Sequence, residues 1–130
     1  MNPLQLLQTE LDNLLYADGV HAYWQEKAKD TDPEEYLVYA RNGDEAILSG
    51  DDDELVSDVR ITLRYYYREC LLDNPTSRAI VQERVQSIID VLRESCFFAV
   101  DGAFDAGKID DTGYFVTIME LSYIRRNGHG

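Results

Sequence analysis

Two stretches of the chain place apolar residues at three- and four-residue spacing, and this spacing predicts two amphipathic helices. The first predicted helix runs over 3–17. Pro3 suits its first turn, and Gly19 ends it because glycine readily adopts the left-handed conformation found at helix termini. Its apolar stripe is formed by Leu4, Leu7, Leu11, Leu14 and Leu15.

The second predicted helix, over 77–95, is the longer one. Asn74 or Thr76 caps its start, and Pro75 fills its first turn. Its expected buried stripe consists of Ile80, Val81, Val85, Ile88, Ile89 and Leu92.

Alternation of apolar and polar positions predicts five strands. The third strand has the clearest pattern, because its odd-numbered positions from Val59 to Tyr67 are apolar or aromatic, whereas its even-numbered positions include three arginines. One face of this strand is therefore expected to be buried and the other to meet water. The second strand is apolar on both faces and is expected inside the sheet. The five predicted strands cover 20–29, 36–41, 58–69, 96–100 and 114–125.

These elements follow one another in the order α-β-β-β-α-β-β. Strands joined in sequence by short turns favour an antiparallel sheet, here of four to five strands, with both helices on one face. The 130 residues fit one domain. The prediction is a single α+β domain over 1–130, with 126–130 as a frayed tail. Its expected core includes Leu7, Leu11, Ile61, Leu63, Ile88, Ile89, Leu92 and Phe115.

The charge balance narrows the classes of function. The chain has 25 acidic and 12 basic side chains, which gives a formal net charge of −13. This charge argues against binding to nucleic acid or to an anionic membrane surface, since both need a basic patch. It is compatible with an acidic surface that DNA passes without sticking.

The cysteines and the N-terminal residues indicate a cytoplasmic folding environment. Cys70 and Cys96 form neither a disulfide framework nor a CxxC pair, so we expect reduced thiols that are buried as small hydrophobes. Residues 1–5 carry no positive charge of the kind that opens a secretory signal. The apolar runs are much shorter than the ~18–20 residues of a membrane helix.

Residues typical of catalysis or metal binding are few. Four consecutive acids resemble ligands for a hard cation, but neighbouring side chains of an extended loop point apart, so a solvated acidic loop is the favoured interpretation. His21 and His129 have no nucleophile at a suitable spacing. We therefore expect no enzyme activity, no metal and no cofactor. A small metal-dependent hydrolase would need a convergent carboxylate pocket. The four acids are Asp51, Asp52, Asp53 and Glu54.

Two features of the third strand allow two interpretations each. Its tyrosines at 65–67 fit strand packing, which we favour, or base stacking. Its arginines Arg60, Arg64 and Arg68 fit a solvated face or a surface that accepts carboxylates, either from the same chain or from a second copy.

In the order of their elements and in the sequences of those elements, residues 3–125 resemble the tail terminator proteins of long-tailed bacteriophages. These proteins are also called tail-completion or head–tail joining proteins. The leading leucine helix, the long second helix and the acidic segment at 49–58, taken as a long hairpin, contribute to the resemblance. The strand segments that carry it are Val20–Trp24, Pro-Glu-Glu-Tyr-Leu-Val-Tyr at 33–39, Asp-Val-Arg-Ile-Thr-Leu-Arg-Tyr at 58–65, and 114–125.

The resemblance implies a virion structural protein that is not an enzyme. Such proteins form a ring, commonly a hexamer, on the end of the tail tube, where they stop polymerisation and dock to the head connector. The implied partners are other copies of the chain, the tail-tube protein and the connector, with DNA passing through the lumen unbound and no membrane. Assembly would take place in the host cytoplasm. Apart from the resemblance, the row of three positive charges leads us to expect that Arg60, Arg64 and Arg68 meet an acidic segment of a neighbouring copy, at 44–54 or 101–111. The alternative is a compact acidic inhibitor or adaptor that presents carboxylates to a partner protein.

Overall fold

The structure, a computed structural model of the chain, describes residues 2–25, 33–42, 59–109 and 112–124. It contains two α-helices, two short 3-10 helices (Tyr16–Asp18 and Glu69–Leu72) and one five-stranded sheet. No helix in these ranges is long and apolar enough to cross a membrane. The main elements are α1 (Pro3–Leu15), β1 (His21–Trp24), β2 (Glu35–Arg41), β3 (Arg60–Arg68), α2 (Pro75–Glu94), β4 (Phe98–Lys108) and β5 (Tyr114–Tyr123).

Both α-helices begin at an asparagine whose side chain satisfies a free backbone N–H. Asn2 accepts a hydrogen bond from the N–H of Gln5 at 2.9 Å, and the Gln5 side chain accepts from the N–H of Asn2 at 3.0 Å, which completes a capping box. Asn74 accepts from the N–H of Ser77 at 2.9 Å, so it is the cap of α2. Gly19 adopts a left-handed conformation with φ of 70°, as expected where the first helical segment ends.

The sheet has the strand order β1-β2-β3-β5-β4, with β3 at its centre. Its pairings are antiparallel except between β1 and β2, which run parallel, so the sheet is mixed. The expectation of a purely antiparallel sheet was wrong at this edge. Residues 25–34 separate the two strands, and a connection of this length does not impose the reversal that a two-residue hairpin turn does.

The core lies between the helices and one face of the sheet. Both α1 and α2 contribute fully buried leucines, and the odd-numbered positions of β3 are buried as the alternation predicts. Of the expected core residues, only Phe115 is not in the buried set. It is half-buried and stacks on Tyr67 at the margin of the core, with ring centroids 6.0 Å apart. The confirmed core residues are Leu7, Leu11, Ile61, Leu63, Ile88, Ile89 and Leu92.

Three further expectations were wrong. Ile80 is 48% exposed, because the buried stripe of α2 begins at Val81. Cys70 and Cys96 are exposed rather than buried; Cys70 lies in a surface 3-10 helix, and Cys96 follows the end of α2 with a positive φ of 66°.

The fourth strand is also longer than predicted. Residues 101–108, expected as a connection, continue β4 along β5 to Lys108. Two register irregularities, between Val100 and Gly102 and between Asp105 and Gly107, interrupt the pairing. This strand is difficult to recognise in the sequence. It contains glycines and exposed acids, and a bulged edge strand has no regular alternation of apolar and polar positions.

Candidate functional site

The described helices pack on one face of the sheet and leave the opposite face uncovered. The register identifies the residues of this uncovered face, because cross-strand partners point to the same side. Arg64 at the centre of β3 pairs with Val38 on β2 and with Ile118 on β5. On the uncovered face, the arginine of the central strand therefore lies between apolar residues of the two neighbouring strands.

The three predicted arginines lie on this face. Arg60 is exposed, whereas Arg64 and Arg68 are half-buried. They follow one another at four-residue spacing along β3, so successive Cα atoms are about 13 Å apart. We call the uncovered side of the sheet around them the arginine face.

Apolar side chains on both sides of β3 distinguish this face from an ordinary solvated one. An antiparallel sheet with one wet face normally alternates between apolar and polar positions. On β2 and β5, however, the uncovered face is apolar over most of its length. The sequence showed this for β2, but for β5 it becomes clear only once the register is known. The residues concerned are Tyr36, Val38, Ala40, Tyr114, Val116 and Ile118.

A cluster of tyrosine rings forms one end of the arginine face. Tyr36 and Tyr66 stack with centroids 4.8 Å apart, and Tyr114 meets Tyr36 edge-on at 5.4 Å. The guanidinium of Arg68 lies 5.0 Å from the centroid of the Tyr114 ring, and the Tyr114 hydroxyl donates to the carbonyl of Pro33 at 2.7 Å. These rings are engaged with one another, which supports the packing interpretation of the tyrosine run over base stacking.

Arg64 is the residue of this face whose charge is least matched. It is half-buried between Val38 and Ile118, and among the described residues no carboxylate forms an ion pair with it within 4 Å. Apolar side chains solvate a cation poorly. The attraction between such a cation and a carboxylate is strongest when the carboxylate also shields the pair from water.

The acidic residues that were expected to complement the arginines fall into two groups. Asp51, Asp52, Asp53 and Glu54 lie outside the described residues. The acids of β4 lie on the outer strand of the sheet. Asp101 accepts a hydrogen bond from the Ser122 hydroxyl, and Asp105 accepts one from Thr117 at 2.8 Å. Both aspartates are exposed, and Phe104 between them is 52% exposed.

A second polar cluster, which sequence reasoning missed, ties α2 to the sheet. Arg84 donates two hydrogen bonds to the carboxylate of Glu35, at 2.7 and 3.1 Å, and a third to Asp18 at 2.6 Å. The hydroxyl of Tyr65 donates to the same Glu35 at 2.7 Å. Glu35 lies 49 positions from Arg84 in the chain, so no local spacing reveals the pair.

The pKa shifts in this cluster have clear causes. Burial, followed by the hydrogen bond to Glu35, raises the pKa of the Tyr65 hydroxyl above its usual value. The hydrogen bonds to Glu35 raise the pKa of Arg84. Both groups therefore keep their protons across the physiological range, as a structural clamp requires.

The described part of the chain contains no cluster of three or more histidine, cysteine, aspartate or glutamate side chains suited to a metal ion. His21 lies exposed on β1, and His129 is outside the described residues. A cavity of about 320 Å³ adjoins α2 and the sheet. It is lined by Tyr67, Leu72, Arg78, Val81, Gln82, Val85, Asp105 and Thr117.

Comparison with known proteins adds no family to this description. Neither the protein-family models nor the curated proteins include a match to the sequence.

Proposed function

We propose that the protein is a virion structural component that caps the end of a phage tail tube as a ring and joins the tail to the head. The observation that carries this proposal is the arginine face, where Arg64 lies between Val38 and Ile118 on a sheet surface that no described element covers. Arginine and aromatic side chains are enriched at protein–protein interfaces, and a face that only meets water would not be expected to carry this many apolar side chains around its arginines.

A ring needs two different surfaces on each copy, so that each copy binds the next in the same way. The arginine face supplies one surface, and the acidic segments of the chain supply charge of the opposite sign. The net charge of −13 suits a lumen through which DNA passes, because like charge repels the phosphate backbone. Tail-tube protein and the head connector would bind the two ends of such a ring.

The mass of the native protein, measured alone and with tail-tube protein, tests this function. The proposal predicts a ring of several 14.9 kDa copies on the tube end and tubes that stop growing when the protein is added. A compact inhibitor or adaptor would instead remain a monomer or dimer and leave tube growth unchanged.

A further inference from the structure

We infer that the outer side of helix α2 of one copy docks on the arginine face of the next copy. This inference rests on the proposed function and names the second surface of the ring. Three exposed acids, Glu83, Asp90 and Glu94, lie along the outer side of α2, and we call them the acidic stripe.

The helical repeat places the acidic stripe on the side of α2 that faces away from the sheet. Positions seven and four residues apart share one side of a helix, and this side is opposite to the buried residues Val81, Ile88 and Leu92. None of the three arginines of α2 interrupts the stripe, since Arg84 turns inward to Glu35 and the other two lie on the flanks of the helix. The acidic stripe and the arginine face therefore lie on opposite sides of the subunit, as a head-to-tail contact requires.

The two surfaces match in length and in the spacing of their charges. α2 has 20 residues and β3 has 9, so both are about 30 Å long. Along the helix axis, Glu83 lies about 10 Å from Asp90 and about 16 Å from Glu94. These separations bracket the ~13 Å between Arg60 and Arg64. A helix laid along β3 would therefore bring a carboxylate to each of these two arginines.

Arg64 is the cation that gains most from this contact. Asp101 and Glu120 adjoin Arg60 in the same chain, around one cleft at the end of the arginine face. Arg64 has no such neighbour within ion-pair distance among the described residues. Asp105, the other exposed acid on the paired part of β4, lies on the helix side of the sheet. The acids of β4 therefore do not form a row that matches the arginines, whereas those of α2 do.

Apolar side chains accompany the charges on both surfaces. Ile80 is 48% exposed and lies one turn before Glu83 on the outer side of α2. On the arginine face, Val38 and Ile118 flank Arg64. A docked α2 would bury Ile80 among these side chains and shield the ion pair of Arg64 from water. Helices on both faces of a sheet are also one of the stable layer arrangements of proteins.

Reversing the charges of one surface at a time tests this contact. One variant carries Glu83→Arg and Asp90→Arg, and the other carries Arg60→Glu and Arg64→Glu. Each variant alone should self-associate at least about tenfold more weakly than the wild type, since like charges then face each other. An equimolar mixture should assemble, because every contact in an alternating ring again joins opposite charges. Sedimentation measures the mass of the assemblies, and circular dichroism confirms the fold.

A matched control is available on α1, where Asp12 is exposed. Asp12→Arg makes the same kind of charge change on the other helix and should leave association unchanged. The α2 variant alters only exposed side chains, so its association is informative even if the sheet variant is unstable. Wild-type association of the α2 variant would overturn the inference. A mixture of two folded variants that stays unassembled, or that forms only pairs through two arginine faces, would overturn it as well.

Two results separate this contact from the proposed function. If the wild-type chain caps tail tubes but the two variants do not assemble when mixed, the docking of α2 is wrong while the function stands. If the mixture assembles but the wild-type protein does not cap tubes, the contact stands and the function is wrong.

Discussion

At the scale of single residues, the Glu35–Arg84 pair links the two layers of the fold. Both side chains are nearly buried, and the Tyr65 hydroxyl occupies part of the remaining hydrogen-bonding capacity of Glu35. A buried carboxylate left without its cation is costly, so the pair matters chiefly through what its loss would expose.

Replacing Arg84 with Met tests this role. The change keeps much of the side chain's apolar stem but leaves Glu35 with only the Tyr65 hydroxyl. We expect the free energy of unfolding to fall by about 2–3 kcal/mol. Urea denaturation measures the loss. A fall below about 0.5 kcal/mol, the size of a typical surface substitution, would contradict the account of this pair.

Tyr65 gives the protein a specific response to alkaline pH. Its pKa is raised in the folded state, so its contribution to stability is complete below the usual value of 10.0 and is lost as pH rises above it. Above that pH, the wild-type protein should lose about 1.4 kcal/mol per pH unit more than Tyr65→Phe, which has no hydroxyl to ionise. Parallel pH profiles of the two proteins between pH 9 and 11 would show instead that Tyr65 ionises equally in both states.

At the scale of elements, periodicity predicted the two helices and β3 because each has one regular buried stripe. It missed the second half of β4, whose glycines and aspartates follow no stripe. It also missed the parallel pairing of β1 with β2, since strand direction depends on tertiary contacts. For the candidate site, alternation correctly placed the three arginines on one face of β3. The apolar neighbours on β5 could be identified only once the strand register was known. Nothing local in the sequence connects Glu35 with Arg84.

The packing of α2 predicts a contrast between two of its residues. Leu92 is fully buried in the core, whereas Ile80 is 48% exposed. Leu92→Ala should therefore cost about 2–5 kcal/mol of unfolding free energy, and Ile80→Ala less than about 1. Urea denaturation of both variants measures the difference. A cost below 1 kcal/mol for Leu92→Ala would mean that α2 is not packed through this residue.

At the scale of the whole molecule, assembly and folding depend on different forces. The core is held by apolar burial, which moderate salt does not screen, whereas the proposed contact between copies uses charges at a surface. Each exposed pair contributes only ~0–1 kcal/mol, but a ring repeats the contact at every subunit.

Salt should therefore weaken assembly before it weakens the fold. Raising the ionic strength from 0.1 to 1 M shortens the screening length from ~10 to ~3 Å, so the ring species should decline while the circular dichroism spectrum stays unchanged. Sedimentation across a salt series measures the decline. A ring population that stays constant or grows with salt would indicate an apolar contact instead.

The most direct test of the central claim is the double variant Arg60→Glu, Arg64→Glu, examined by circular dichroism and by electron microscopy of assembled particles. If the arginine face is the contact between copies, the variant folds normally as a subunit but fails to form rings, and tails do not join to heads. If the variant produces normal joined particles, the arginine face is only a solvated surface and the contact between copies lies elsewhere, on the helices.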